Sequence, residues 1–183
     1  MTMPPPKDLD LPPQVVFSTE RLRVRHWAAS DLASVIDVYG DPAVVRWVDD
    51  GQPITAAEAV AWIDKTRLNY ETYGYGMFVL EDRGTRAFIG FGGLVHPGGQ
   101  PEAEVKYALL PRYWGQGLAT EFVKGLLDHA TCAYGLTTCI ATVDPSNTAS
   151  QNVLRKAQFH YAGARTDDDG TAIDLFTFGE PLE

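Results

Sequence analysis

Residues 103–121 read "AEVKYALLPRYWGQGLATE". The first eight alternate, with Ala103, Val105, Tyr107 and Leu109 on one face of an extended chain and Glu102, Glu104 and Lys106 on the other. That pattern predicts a strand over 103–110 with one polar, solvated face. Pro111 cannot donate to a sheet ladder, so the strand ends there. From Leu118 the period changes. Leu118, Phe122, Leu126 and Ala130 form one helical stripe, and Glu121, Lys124 and Asp128 another, which predicts a helix packed on the sheet through Tyr134. The next apolar run, "TTCIATV" at 137–143, reads as a strand. A strand, a helix and a strand in this order imply a right-handed crossover between parallel strands.

Upstream, "LRVRHW" (22–27) alternates as a strand, and Ser30 opens a short helical stretch that reaches Tyr39 and stops at Gly40. Thr55 and Glu58 have capping-box spacing ahead of a second helix, with Gly74 at its exit. "GMFVLED" (76–82) and "AFIGFGGLVH" (87–96) flank the turn "RGT", and with 103–110 they predict three antiparallel neighbours. Downstream, "ASQNVLRKA" (149–157) reads as a short helix, and "FHYAGAR" and "AIDLFTF" as a hairpin across "TDDDG". The class is α+β with a mixed, mostly antiparallel sheet flanked by helices.

A chain of 183 residues, 45% apolar and 21% charged, is sized for one globular domain. The Pro-rich residues 1–15 read as a flexible tail and 16–183 as the domain. A net charge of -9 argues against nucleic acid, whose affinity comes from Lys and Arg, and favours cationic partners such as amines. Two cysteines, Cys132 and Cys139, have neither zinc nor disulfide spacing. His26, His96, His129 and His160 are scattered, so no metal is expected, and "DDDG" at 167–170 reads as a hairpin turn instead of a calcium loop. No leader or membrane-spanning segment is recognisable, and a cytoplasmic protein is expected.

Gly115 and Gly117 stand where a strand hands over to a helix, and helix N-termini attract anions. By spacing alone, this stretch fits either a phosphate cradle or a ligand-free turn. It is no Walker A loop, because the sequence has no Gly-Lys pair. A dinucleotide fingerprint fits poorly. Thr120 replaces the third glycine, and "PRYW" separates the strand from the glycines.

The wider order "STERLRVR", "DPAVVRWV", "AFIGFGGL", "AEVKYALLPRYWGQGLATE" and "NTASQNVLRKAQF" resembles the GNAT superfamily of N-acetyltransferases, in its RimJ/RimL-type branch, over roughly 18–180. That resemblance implies a central sheet whose parallel strand pair splays to hold acetyl-CoA. It places the coenzyme diphosphate on Trp114, Gly115, Gln116, Gly117, Leu118, Ala119 and Thr120, with tryptophan where the general pattern has Gln or Arg. It also implies a bulge near Leu109 and Leu110 that exposes backbone to pantetheine, with a backbone N–H near Leu110 facing the thioester oxygen. Asn147 and Ser150 match the family's Asn-x-x-Ser motif, Asn147 toward the coenzyme arm and Ser150 toward its sulfur, with Asn152 as a further contact. The family usually has glycine at Gln158, which forms a left-handed helix exit.

The implied reaction is attack by a neutral amine on a thioester, with no acyl-enzyme. Glu104 is the candidate base, acting through a water; the alternative pairs it with Lys106 or Arg112 on a solvated face. Ser150 is the candidate acid for the leaving thiolate, and its alternative is ordinary helix capping. Tyr70, Tyr73, Tyr75, Trp47 and Trp62 supply core and part of an acceptor pocket. The acceptor is an amine-bearing small molecule or a protein N-terminus, and the chain a monomer or homodimer. A noncatalytic acyl-CoA-binding or sensing module is the rival from another class, with an NAD-binding protein third.

Overall fold

The computed structural model describes residues 14–48, 51–166 and 170–179. The elements are β1 (Val15–Ser18), β2 (Leu22–Arg25), α1 (Leu32–Tyr39), α2 (Pro42–Val45), α3 (Ala56–Tyr73), β3 (Met77–Asp82), β4 (Phe88–Val95) and β5 (Glu104–Leu109). They continue as α4 (Leu118–Tyr134), β6 (Cys139–Val143), α5 (Thr148–Lys156), β7 (His160–Thr166) and β8 (Ala172–Phe178). One eight-stranded sheet runs in the order β1-β2-β3-β4-β5-β6-β8-β7. Every neighbouring pair is antiparallel except β5 and β6. The α+β class, the antiparallel triplet β3-β4-β5 and the parallel crossover through α4 follow the sequence pattern.

Local chemistry explains the helix ends. Thr55 Oγ1 accepts from Glu58 N–H at 3.2 Å while Glu58 Oε2 accepts from Thr55 N–H at 2.7 Å, closing both halves of the capping box at the start of α3. Gly74 ends that helix in the left-handed region, at φ 79°. Gln158 holds the same left-handed exit after α5, at φ 68°, without being glycine. Its N–H donates to Arg155 O at 3.1 Å and the following Phe159 N–H to Leu154 O at 3.0 Å, so backbone bonds compensate the steric penalty of about 1–2 kcal/mol.

The sheet separates two apolar layers. On one side Phe78, Leu80, Val105 and Leu109 pack against Phe122, Val123, Leu126 and Leu127 of α4. On the other, Val79, Phe91, Ala108 and Leu110 pack with Val35 and Val38 of α1 and Ala59 and Ile63 of α3. The second face of β5 is therefore covered, contrary to the solvated face expected from its alternation. Val15, assigned to the tail, opens β1, because the proline run stops at Pro13 and Val15–Phe17 can alternate against Arg25 and Val24. The aspartates 167–169 of the predicted turn lie outside the described residues, although Thr166 and Ala172 pair across it as a hairpin requires. No helix among the described residues is long and apolar enough to cross a membrane.

Candidate active site

The one parallel pair of the sheet opens into a cleft. β4 and β5 stay in register from Gly90↔Leu109 to Val95↔Glu104, and β6 and β8 from Cys139↔Phe178 to Val143↔Asp174. β5 and β6 share only Glu104↔Ile140. Beyond that point they diverge, and a cleft of about 820 Å³ extends between their C-terminal halves, α4 and α5 on one side and α3 on the other.

The loop into α4 forms the first wall. Pro111–Tyr113 is a single 3₁₀ turn, and the indole Nε1 of Trp114 donates to Leu109 O at 2.7 Å, tying the loop to the end of β5. Gly115 and Gly117 take φ values of 72° and 77°, which glycine adopts without a steric penalty. Glu121 N–H makes the first intrahelical bond, to Gly117 O at 3.0 Å, so the amides of Leu118, Ala119 and Thr120 have no acceptor within the helix. No side chain caps this end of α4, and Gly117, Leu118, Ala119 and Thr120 all line the cleft. Unpaired N–H groups at the positive end of a 17-residue helix attract anions. Gly115 and Trp114 also line the cleft, whereas Gln116 does not.

Three expectations require correction. No bulge separates Leu109 from Leu110; the irregular register lies in β4, where Ile89 is extra between Leu80↔Gly90 and Glu81↔Phe88. Leu110 N–H does not face the cleft, because it donates to Ile89 O at 2.9 Å. Ile140 N–H donates to Ala103 O, so odd-numbered residues of β5 turn their main-chain groups toward β6. Strand alternation therefore directs Leu109 N–H into the gap. Glu104 is only 2% exposed and does not line the cleft. It accepts from Thr142 Oγ1 at 2.5 Å and Gln100 Nε2 at 3.2 Å, and pairs with Lys106 Nζ at 2.6 Å. Lys106 and Thr142 stand between it and the cleft, and Arg112 is not its partner.

At α5 the two halves of the Asn-x-x-Ser motif divide their work. Asn147 Oδ1 accepts from Ser150 N–H at 3.1 Å and caps the helix. The Ser150 hydroxyl is not the cap. It lies 2.7 Å from Tyr107 Oη, across the opened strands. Burial pushes the Tyr107 phenol up to about 12, partly opposed by its bond to Ser150, so it stays protonated at neutral pH. In the sequence Tyr107 sits on the apolar face of β5, and its lone hydroxyl-bearing ring among Ala103, Val105 and Leu109 is the signal of a polar role. Asn152 is exposed and lines the cleft.

The opposite wall is made of side chains. Trp47, Trp62, Lys65, Asn69, His96 and Thr142 line it. Tyr70, Tyr73 and Tyr75 do not: Tyr70 stacks with His26 and Phe78, and Tyr75 Oη bonds His96 Nε2 at 2.9 Å. His96 Nδ1 faces Gln100 O at 2.9 Å, so this ring nitrogen donates and Nε2 accepts from Tyr75. Asp144 Oδ1 accepts from Ser146 N–H at 2.7 Å and Ser146 Oγ at 2.5 Å, and these donors hold its carboxyl below the ordinary range. No group of three His, Cys, Asp or Glu able to hold a metal occurs among the described residues.

The acetyltransferase (GNAT) domain family matches residues 21–160. A Bacillus licheniformis protein described as an uncharacterized N-acetyltransferase, p20, is 28% identical over 167 residues, which are 87% of this chain and 92% of that one. An acetyltransferase structure from Agrobacterium tumefaciens superposes with a TM-score of 0.77 at 23% identity, covering 93% of this chain and 96% of that one. The ribosomal-protein alpha-N-acetyltransferase RimL, solved in complex with coenzyme A, superposes with a TM-score of 0.74 at 16% identity, covering 90% and 97% of the two chains. With its splayed strand pair, its glycine loop and the match over most of its length, this chain belongs to the GNAT acetyltransferase family and is an acyltransferase.

Proposed function

We propose that the protein moves an acetyl group from acetyl-CoA directly to an α-amino group, at a protein N-terminus or on a small molecule, in a ternary complex. The observation that carries this reading is the two-walled cleft, which sets an anion-binding row of amides opposite a wall of aromatic and polar side chains, with Leu109 N–H, Ser150 and Tyr107 between them. The amides of Leu118, Ala119 and Thr120 suit the coenzyme diphosphate, and the RimL structure with coenzyme A supports the same ligand.

Neutral amine nitrogen attacks the thioester carbon. The carbonyl oxygen gains charge beside Leu109 N–H, which the strand register aims at the gap. When the C–S bond breaks, the thiolate takes the Ser150 proton, Tyr107 supplies a proton to Ser150 Oγ and is reprotonated by water, and the proton shed by the amine passes to water. An acyl-enzyme is disfavoured by the cysteines: Cys132 and Cys139 do not line the cleft, and burial raises the Cys139 thiol to about 12.

The side chains select the kind of amine. Among the described residues, Glu104 is buried off the cleft under three donors, His96 Nε2 accepts from Tyr75, and Asp144, which lines the cleft, is held below the ordinary carboxylate range by Ser146 and is a weak base. An α-amine of pKa about 7.7–8.0 is roughly a tenth to a sixth neutral at pH 7, against about 0.04% for a lysine amine near 10.4. With no free imidazole and no carboxylate of ordinary basicity among the described cleft residues, the site suits the α-amine. Initial rates with a peptide bearing a free N-terminus and its lysine-only, N-blocked counterpart test this. Intersecting double-reciprocal lines and preference for the free N-terminus are expected. Parallel lines with acetylated protein would reject direct transfer, and preference for lysine would reject the α-amine.

A further inference from the structure

The turn between β1 and β2 reaches the coenzyme loop from behind. It is anchored to the β3–β4 hairpin: Arg83 N–H donates to Arg21 O at 2.8 Å, and Arg83 Nη1 to Thr19 O at 2.9 Å. From this fixed turn, Arg21 donates through Nη1 to Gln116 O at 2.9 Å and through Nε to Glu121 Oε2 at 2.7 Å. Arg21 N–H and Thr19 Oγ1 both donate to Glu121 Oε1, at 2.8 Å and 2.5 Å. One guanidinium thus joins the glycine loop to the first turn of the helix it opens.

The peptide between Gln116 and Gly117 is trans, so its C=O and N–H point in opposite directions. Gly117 lines the cleft and Arg21 does not. Holding the Gln116 carbonyl on the Arg21 side therefore turns Gly117 N–H toward the cleft, in line with the amides of Leu118 to Thr120. We propose that Arg21 is a positioning residue for the diphosphate, fixing the orientation of a loop whose two glycines would otherwise let this peptide rotate. The proposal rests on the acetyl-CoA reading above. Glycines lose more freedom than other residues when ordered, and a loop ordered before binding avoids that loss at the moment of binding. Arg21 also balances the Glu121 carboxylate, which would otherwise repel an anion at the start of α4. Its side chain is 45% exposed, where an ion pair alone adds little stability, so the effect belongs to the loop more than to the fold.

Arg21→Met keeps much of the aliphatic stem and removes the donors. Relative to the native chain, it should raise the KM for acetyl-CoA and the Kd for CoA about tenfold, the scale of one lost charge-assisted hydrogen bond, with kcat unchanged. S-acetylpantetheine carries the thioester without the diphosphate, and its KM should be the same in both proteins. Arg21→Lys retains the charge but not the forked reach, and should fall between them. Equal increases in KM for the two donors would indicate general loosening and overturn the proposal, as would an unchanged KM for acetyl-CoA. If Arg21→Met fails to fold, the same comparison of donors on Arg21→Lys decides. A native chain that binds no CoA would reject the acetyltransferase reading itself, an outcome distinct from active native protein with no split between the donors.

Discussion

On the side of the cleft proposed for the coenzyme the groups on offer are main-chain amides at the start of α4, whereas the side proposed for the acceptor is walled by side chains such as Trp47, Trp62, Lys65 and Thr142. The first wall comes from one short stretch of chain, held by a helix start and two left-handed glycines. The second gathers residues from the turn after α2, from α3 and from β6. A wall built from backbone amides binds an anion whatever the neighbouring side chains are. The acceptor wall can change one side chain at a time without disturbing the amides.

Substitutions on the two walls should therefore have separable effects. The largest is expected for Gly117→Glu, which puts a carboxylate at the diphosphate site and a side chain at φ 77°. CoA affinity should fall at least about a hundredfold in protein whose melting shows a folded state, by charge repulsion at the helix start and backbone strain. Retained affinity would break the assignment of that wall. At the junction, Ser150→Ala should lower kcat by roughly tenfold to a hundredfold with the Kd for CoA unchanged. Tyr107→Phe should lower it less, and the double mutant should match Ser150→Ala, because the two hydroxyls act as a unit 2.7 Å apart. Additive losses would separate Tyr107 from the proton path.

On the acceptor wall, Trp47→Ala should raise the KM for the amine several-fold, about 1 kcal/mol of lost apolar contact, and leave the Kd for CoA alone. Glu104→Gln lies outside both walls and should act on stability alone. It removes a buried charge facing Lys106, so melting temperature should drop. The ratio of mutant to native turnover should be the same at about pH 6.5 and pH 9, whereas a larger loss at the lower pH would restore Glu104 as the base.

The smallest effect lies away from both walls. His26 is half-buried between Tyr70 and Phe78, and burial lowers its pKa from the usual 6.5. The unfolded chain then takes up a proton at this site before the folded one does. Its contribution to stability is present above about pH 6.5 and is lost as pH falls toward the folded value. His26→Gln should flatten the fall in melting temperature over that window while acetylation kinetics at pH 8 stay native.

The contrast between the walls also explains what the sequence reveals. Gly115, Gly117, Leu118 and Thr120 are legible because a helix start needs only local periodicity and glycine spacing. Ser150 is legible through its place three residues after the cap Asn147, but its partner Tyr107 lies 43 residues earlier and meets it only across the splayed strands. Glu104 looks like a surface charge because alternation shows which face it occupies and not what covers that face; burial comes from Gln100, Lys106 and Thr142. The choice between Leu109 and Leu110 as the inward N–H depends on Ile140 N–H donating to Ala103 O, a contact between strands separated by all of α4. Arg21 is hidden for the same reason, since its partner Glu121 lies 100 residues away.

In the proposed reaction both walls act on one thioester. The most direct measurement follows CoA thiol release from acetyl-CoA by the native chain, with and without a panel of α-amines, and with Gly117→Glu in parallel. Release should depend on the amine, match acetylated product mole for mole, and disappear in Gly117→Glu. Native protein that binds CoA tightly yet releases no thiol with any amine would contradict the proposed reaction and identify the cleft as an acyl-CoA sensor.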